Sequence, residues 1–379
     1  MKPKDSRVCL ETLAVHAGRK PDPATGAIAP ALQASTTYER DADTGTSRGY
    51  SYQRDGHPNA AAFETAMALL EGGEWAVSFA SGSAATLALF HAVAGRGRIV
   101  ATEGAYRGTL RQFADLLPEW GTEVVLVDTG DLEAVRRAAD GAAMIYVETP
   151  SNPLLGLSDI EALAGVARDC GAVLACDNTF ATPVLQEPIA LGADLVVHSA
   201  TKYLGGHSDV LAGVVVGGGR ADLHASVRGY AVAAGATLAP FSAWLLLRSL
   251  PTLPLRVRAQ SASAAELARR LAGHPRVAAV HYPGLPDHPG HALALRQMQG
   301  FGGMLAFHHG DGPEAARALP AKMRVFTHAT SLGGVESLIE HRASSEGPDS
   351  TAPQDLLRVS VGLENVEDLW DDLARALGD

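Results

Sequence analysis

The chain has 379 residues, more than one compact core usually holds, so two domains are expected. Its 46% hydrophobic and 19% charged content suits a globular protein with a large core. A formal net charge of −11 argues against nucleic-acid or anionic-membrane partners, which favour a basic face.

Residues 1–50 contain several Gly, Pro and Thr breaks and no long periodic segment, so they read as an extended arm. Residues 1–7 carry charge without an apolar run behind them, and no secretory signal is expected. From residue 75 a rhythm begins. Short apolar runs at 75–80, 98–101, 123–127, 143–147, 173–176 and 194–197 are separated in most cases by helical patterns, as at 83–93, 109–117 and 160–168. Runs of aliphatic and β-branched residues alternating with helices predict βαβ units and a mostly parallel sheet, which 211–216 extends. The Gly217-Gly218-Gly219 run has no helical pattern directly behind it and reads as a turn. A long helical stretch follows from 241 to about 271, then strands near 276–282 and 303–307 and a last helix over Val366–Leu377. The expected division is an arm at 1–50, a large domain at 51–240 and a smaller C-terminal domain at 241–379. No unbroken apolar stretch reaches the roughly 18 residues of a membrane span. Cys9, Cys170 and Cys176 are scattered with no CxxC spacing, which predicts a reducing cytoplasm.

Ligands of open α/β sheets bind beyond the carboxyl ends of the strands, and polar clusters fall there. Lys202, in the stretch VVHSATKYLGG at 196–206, follows a strand and is flanked by Ser199, Thr201 and a glycine pair. An amine held there suits the internal Schiff base of a pyridoxal phosphate (PLP) enzyme; an ordinary surface lysine is the plain alternative. Gly82 and Ser83 open a helix after the first strand, where free N–H groups make an anion site or merely a cap. Asp177 ends the fifth run and could pair with a pyridinium nitrogen, or cap the loop at Asn178-Thr179. Tyr106 could stack on a cofactor ring or lie half-buried in the core. Arg358 offers a fork for a substrate carboxylate; on its segment alone it reads as an edge-strand arginine facing water. Glu148 and Asn152 follow the fourth run. The fourteen histidines form no HxxxH or HExxH spacing, and His308-His309 and the pair His288 and His291 read as loop residues, so no metal is expected. No GxGxxG follows the first strand, which leaves a dinucleotide site unsupported.

These residues resemble the Cys/Met-metabolism PLP-dependent enzymes: cystathionine γ-synthase, cystathionine γ-lyase, methionine γ-lyase and their relatives. The resemblance runs from TLAVHAG at 12–18 to RVSVGLE at 358–364 and is most specific in ETPSNP at 148–153, DNTF at 177–180, HSATKY at 198–203 and SLGGVES at 331–337. It implies a type I PLP-dependent aminotransferase-like fold, an α/β architecture with a mostly parallel sheet flanked by helices and a smaller C-terminal α/β domain. It also implies a tetramer built from two catalytic dimers. Lys202 then resembles the Schiff-base lysine, Asp177 the pyridinium partner and Tyr106 the stacking tyrosine. Gly82, Ser83, Ser199 and Thr201 match phosphate-binding positions. Tyr52 and Arg54 match the pair that reaches a neighbouring subunit's phosphate. Asn152, Ser331 and Arg358 match positions that hold the substrate carboxylate.

The chain departs from the family pattern in five places, one of them Ser83, which stands where a methionine usually follows the glycine of the phosphate turn. His57 replaces an asparagine before Pro58, Gly108 stands where methionine γ-lyases carry a reactive cysteine, and Thr330 replaces the glutamate tied to the distal amine of cystathionine. RASSEGP at 342–348 replaces a Met-Thr-His-Ala stretch and is expected to remodel the entrance. The implied activity is β- or γ-elimination or replacement on a sulfur-bearing or O-acylated homoserine-type amino acid. Transamination, racemisation and a non-catalytic scaffold are the alternatives, and the leaving group stays open, because it depends on side chains near Thr330, His57 and residues 340–353.

Overall fold

The computed structural model describes residues 8–348 and 350–378, so the readings on residues 1–7 lie outside it. Seven strands form the first sheet: β1 (Trp75–Phe79), β2 (Arg98–Thr102), β3 (Val124–Val127), β4 (Ala142–Glu148), β5 (Val173–Asp177), β6 (Leu195–Ser199) and β7 (Gly213–Gly217). Their order is β1-β7-β6-β5-β4-β2-β3. Strands β2 to β6 are mutually parallel, whereas β7 runs antiparallel to both neighbours. Every apolar run named from residue 75 to 216 became one of these strands. The reason is visible in β4: Met144 and Tyr146 enter the core layer that contains Phe79 and Phe90, while Ile145 and Val147 enter the opposite layer with Leu163 and Leu174. A strand buried on both faces needs apolar residues at successive positions. Each fully buried aliphatic side chain there contributes roughly 1.5–3 kcal/mol.

A second sheet follows: β8 (Val277–His281), β9 (Met304–His309), β10 (Thr327–His328), β11 (Leu338–His341) and β12 (Leu356–Ser360), in the order β10-β11-β12-β9-β8. The expected α/β architecture with a mostly parallel central sheet is present. Among the described residues no helix is long and apolar enough to cross a membrane.

Several local readings are corrected. A helix at Ala221–Ala234 starts directly behind Gly219, where a turn with no helix was expected. The helix Pro58–Leu70 was not read at all; Asn59, Ala60, Phe63, Ala66, Met67, Ala68 and Leu70 are all buried, so its apolar residues do not fall in one clear stripe. The stretch from 241 breaks into Pro240–Ser249, a 3₁₀ turn at Leu250–Thr252 and Leu253–Ala272. Pro251 and Pro254 each remove a helical donor at that break. His308 and His309 end β9 and are not loop residues. Arg358 sits on β12, an inner strand between β11 and β9, and is buried rather than facing water from an edge.

Candidate active site

A cavity of about 180 Å³ opens at the carboxyl ends of β4, β5 and β6, and residues 330–332 with Arg342 and Arg358 of the second sheet region close it. All the expected site residues line it except Tyr52 and Arg54: Gly82, Ser83, Tyr106, Asn152, Asp177, Ser199, Thr201, Lys202, Ser331 and Arg358. Parallel register brings Glu148 and Asp177 side by side at the ends of β4 and β5. Tyr52 and Arg54 lie on the surface, with the Arg54 guanidinium 5.6 Å from the Tyr52 ring centre. The backbone there pairs with the arm, through Tyr38 N–H to Ser51 O at 3.1 Å and Gln53 N–H to Thr36 O at 2.8 Å.

Lys202 sits in a tight turn beyond β6, where its N–H donates to Ser199 O at 3.2 Å and its carbonyl accepts from Gly206 N–H at 2.7 Å. Gly206 has φ +69, and a Cβ there would meet Arg256 Nη1, which itself donates to Tyr203 O at 2.8 Å. The turn therefore needs glycine both for its dihedral and for its space. The Lys202 amine donates to Ser331 Oγ at 2.8 Å. Burial first, then the nearby Arg358 charge, lowers its pKa to about 8. About half of it is a neutral amine at pH 8, the form that attacks an aldehyde carbon.

Asp177 Oδ1 accepts from the Thr179 N–H at 2.9 Å, and Oδ2 from the Tyr146 hydroxyl at 3.4 Å, neither partner being cationic. Burial raises its pKa against those hydrogen bonds. A half-buried carboxylate whose hydrogen-bond partners are both neutral suits a ring N–H⁺ brought by a ligand. Glu148, pushed up by burial and by Asp177, accepts from the Tyr106 N–H at 2.7 Å and fixes where that residue leaves β2. A Cβ at Gly108 would lie 2.4 Å from Tyr106 Cε1, so the missing side chain at 108 makes room for the half-exposed tyrosine ring.

The helix Gly82–His91 points its N-terminus into the cavity, capped by Ser81 Oγ accepting from Ala84 N–H at 3.1 Å. A Cβ at Gly82 would lie 2.8 Å from Ser199 Cβ, so only glycine lets this N-terminus close on Ser199. Free N–H groups against a serine hydroxyl form a phosphate cradle. Thr201 is less open: its hydroxyl donates to Ala212 O at 3.1 Å and accepts from Ala212 N–H at 3.0 Å. These features fit PLP: an amine, a cradle, a ring-facing tyrosine and an acid without a cationic partner.

Arg358 donates to Asn152 Oδ1 at 3.0 Å and Ser331 O at 3.2 Å and pairs with Glu340. Burial lowers its pKa to about 10, which leaves it charged at neutral pH. Glu340, Arg342 and Thr179 were not among the expected site residues. Thr179 Oγ1 accepts from the Ser199 N–H at 2.9 Å and ties the ends of β5 and β6 together. Its place in DNTF was the available signal. Among the described residues no cluster of His, Cys, Asp or Glu could hold a metal ion.

Residues 11–378 match the family described as Cys/Met metabolism PLP-dependent enzyme. The cystathionine γ-synthase of Mycobacterium bovis is 46% identical over 374 residues, covering 97% of this chain and 96% of that protein. The cystathionine γ-lyase of Bacillus subtilis is 39% identical over 378 residues, covering 97% and 98%. The crystal structure of a Xanthomonas oryzae cystathionine γ-synthase in complex with aminoacrylate and cysteine superposes with a TM-score of 0.93 at 40% identity, covering 98% of each chain. This chain belongs to the Cys/Met metabolism PLP-dependent enzymes.

Proposed function

We propose that the protein carries out β- or γ-elimination or replacement on a sulfur-containing or O-acylated homoserine-type amino acid. The observation that carries this reading is Lys202: a part-buried amine with its pKa lowered to about 8, bonded to Ser331, in one cavity with Asp177 and Arg358. PLP, when bound, supplies an electron sink for negative charge at the substrate Cα. Lys202 holds the cofactor and, once released, moves the Cα proton. Asp177 would pair with the ring nitrogen and keep it protonated. Gly82, Ser83, Ser199 and Thr201 would hold the phosphate, Thr201 only by giving up a bond to Ala212. Tyr106, which lines the cavity, would stack on the cofactor ring and supply a proton to the departing group. Arg358, with Asn152 and Ser331, holds the α-carboxylate. The activity is most like that of cystathionine γ-lyase and γ-synthase, with Thr330 offering a hydroxyl rather than an acid to a distal substrate amine.

Tyr52 and Arg54 lie outside their own cavity, which supports a tetramer of two catalytic dimers in which they reach the neighbouring phosphate. The sheets span Trp75 to Gly217 and Val277 to Ser360, which supports dividing the chain into an arm at 1–50, a large domain at 51–240 and a C-terminal domain at 241–379. Three free cysteines suit a reducing cytoplasm.

The test is a panel of cystathionine, methionine, homocysteine, cysteine, O-acetylhomoserine and O-succinylhomoserine, each with and without a thiol. Release of 2-oxoacid or formation of a thioether is expected. Amino-group transfer or racemisation alone would overturn the reading.

A further inference from the structure

Four charged side chains form a series at one side of the cavity, which Arg342 and Arg358 line. Glu340 and Arg358 are cross-strand partners on β11 and β12 and form an ion pair. Glu340 Oε1 also meets Arg342 Nη1 at 3.0 Å, and Arg342 Nη2 meets Glu346 at 2.8 Å, one helical turn further on. All four are nearly buried: the side chains of Arg342 and Arg358 are 6% exposed, Glu340 2% and Glu346 11%. Charges this dry persist only when each has a counter-charge. They alternate along the series Glu346, Arg342, Glu340, Arg358, so the next group beyond Arg358 should be an anion.

The donors of Arg358 agree. A guanidinium has five N–H bonds. Nη1 gives one to Asn152, and Nη2 gives its two to the Ser331 carbonyl and Glu340. Two remain, one on Nε and one on Nη1, on different edges of the guanidinium, each able to take one carboxylate oxygen. Glu340 threatens this arrangement, because a dry carboxylate with Arg358 as its one counter-ion would turn fully onto it. Arg342 pulls on the same Oε1 from the other side.

We infer that Arg342 is a positioning residue for the carboxylate receptor: by sharing Glu340, it stops that carboxylate from turning onto the Arg358 donors that face the substrate. The inference rests on Arg358 receiving the α-carboxylate, as proposed above. The probe is glycine, which has an α-carboxylate and amine but no side chain, titrated into the PLP-loaded enzyme and followed by visible absorbance. Arg342→Gln is expected to weaken glycine binding at least about tenfold and to raise KM for every amino-acid substrate alike. Its kcat should stay within about threefold and its cofactor absorbance unchanged, with Arg342→Lys restoring part of the affinity. If Arg342→Gln does not fold, Glu346→Gln, which removes the outer counter-ion, should weaken glycine in the same direction. Wild-type glycine affinity in these variants would overturn the inference. So would a loss confined to substrates with a second carboxylate, or a parallel fall of kcat, absorbance and Tm. Arg358→Lys separates the two claims: if it leaves glycine binding intact, the receptor assignment itself has failed.

Discussion

Ser331 accepts the Lys202 amine on its hydroxyl at 2.8 Å while its own carbonyl accepts from Arg358 at 3.2 Å. One residue thus sets the distance between the amine that would carry the cofactor and the fork that would take the carboxylate. It does so at φ +94, a left-handed conformation that a side chain rarely adopts. Such strain costs on the order of 1–3 kcal/mol and persists where surrounding contacts over-determine it.

Substitution at this position should separate strain from function. Ser331→Gly relieves the backbone and is expected to be more thermostable than Ser331→Ala, which keeps the strain. Both lose the lysine's acceptor and should lower kcat/KM about tenfold. Melting curves and initial rates for the two variants check this.

The lowered Lys202 pKa fixes a pH dependence. The neutral amine is the reactive form, and its fraction grows as pH rises through about 8. Uptake of PLP by the cofactor-stripped protein should accelerate over that window. A rise centred near the ordinary lysine value would mean that burial does not tune this group.

Gly108 is expected to be indispensable for the Tyr106 ring. Gly108→Ala places a Cβ 2.4 Å from Cε1 and must move the tyrosine. A displacement of this size near reacting atoms can reduce kcat/KM by up to about 100-fold. PLP binding measured in parallel should change less than the rate.

His57 is assigned a structural part by its contacts. Its Nδ1 accepts from Ala60 N–H at 3.2 Å, so Nε2 carries the proton and donates to Leu238 O at 2.8 Å. It caps the helix Pro58–Leu70 and does not line the cavity. His57→Ala should destabilise by about 1 kcal/mol, and His57→Asn should keep most of the cap. Substrate preference should not move in either.

The parallel strands were legible because burial on both faces forces unbroken apolar runs, and their polar ends then stand out: Asp177 after β5, Lys202 after β6. The Arg342–Glu340–Arg358 series was not legible. It depends on residue 340 lying opposite residue 358 across β11 and β12, a register that no local pattern records. Arg358 misleads when read locally for the same reason, since β9 and β11 bury it from either side. The bonds of Thr201 to Ala212 likewise join residues eleven apart through a turn that glycines and small side chains only suggest.

The central claim is that Lys202 carries PLP. The chain has five lysines, Lys2, Lys4, Lys20, Lys202 and Lys322, and of the three among the described residues, Lys20, Lys202 and Lys322, only Lys202 lines the cavity. Borohydride reduction of the PLP-loaded protein, followed by peptide mass mapping, tests this directly. The account predicts the reduced cofactor on the peptide that contains Lys202, and no visible absorbance band from Lys202→Ala. Label on another lysine, or an unchanged band in that variant, would contradict it.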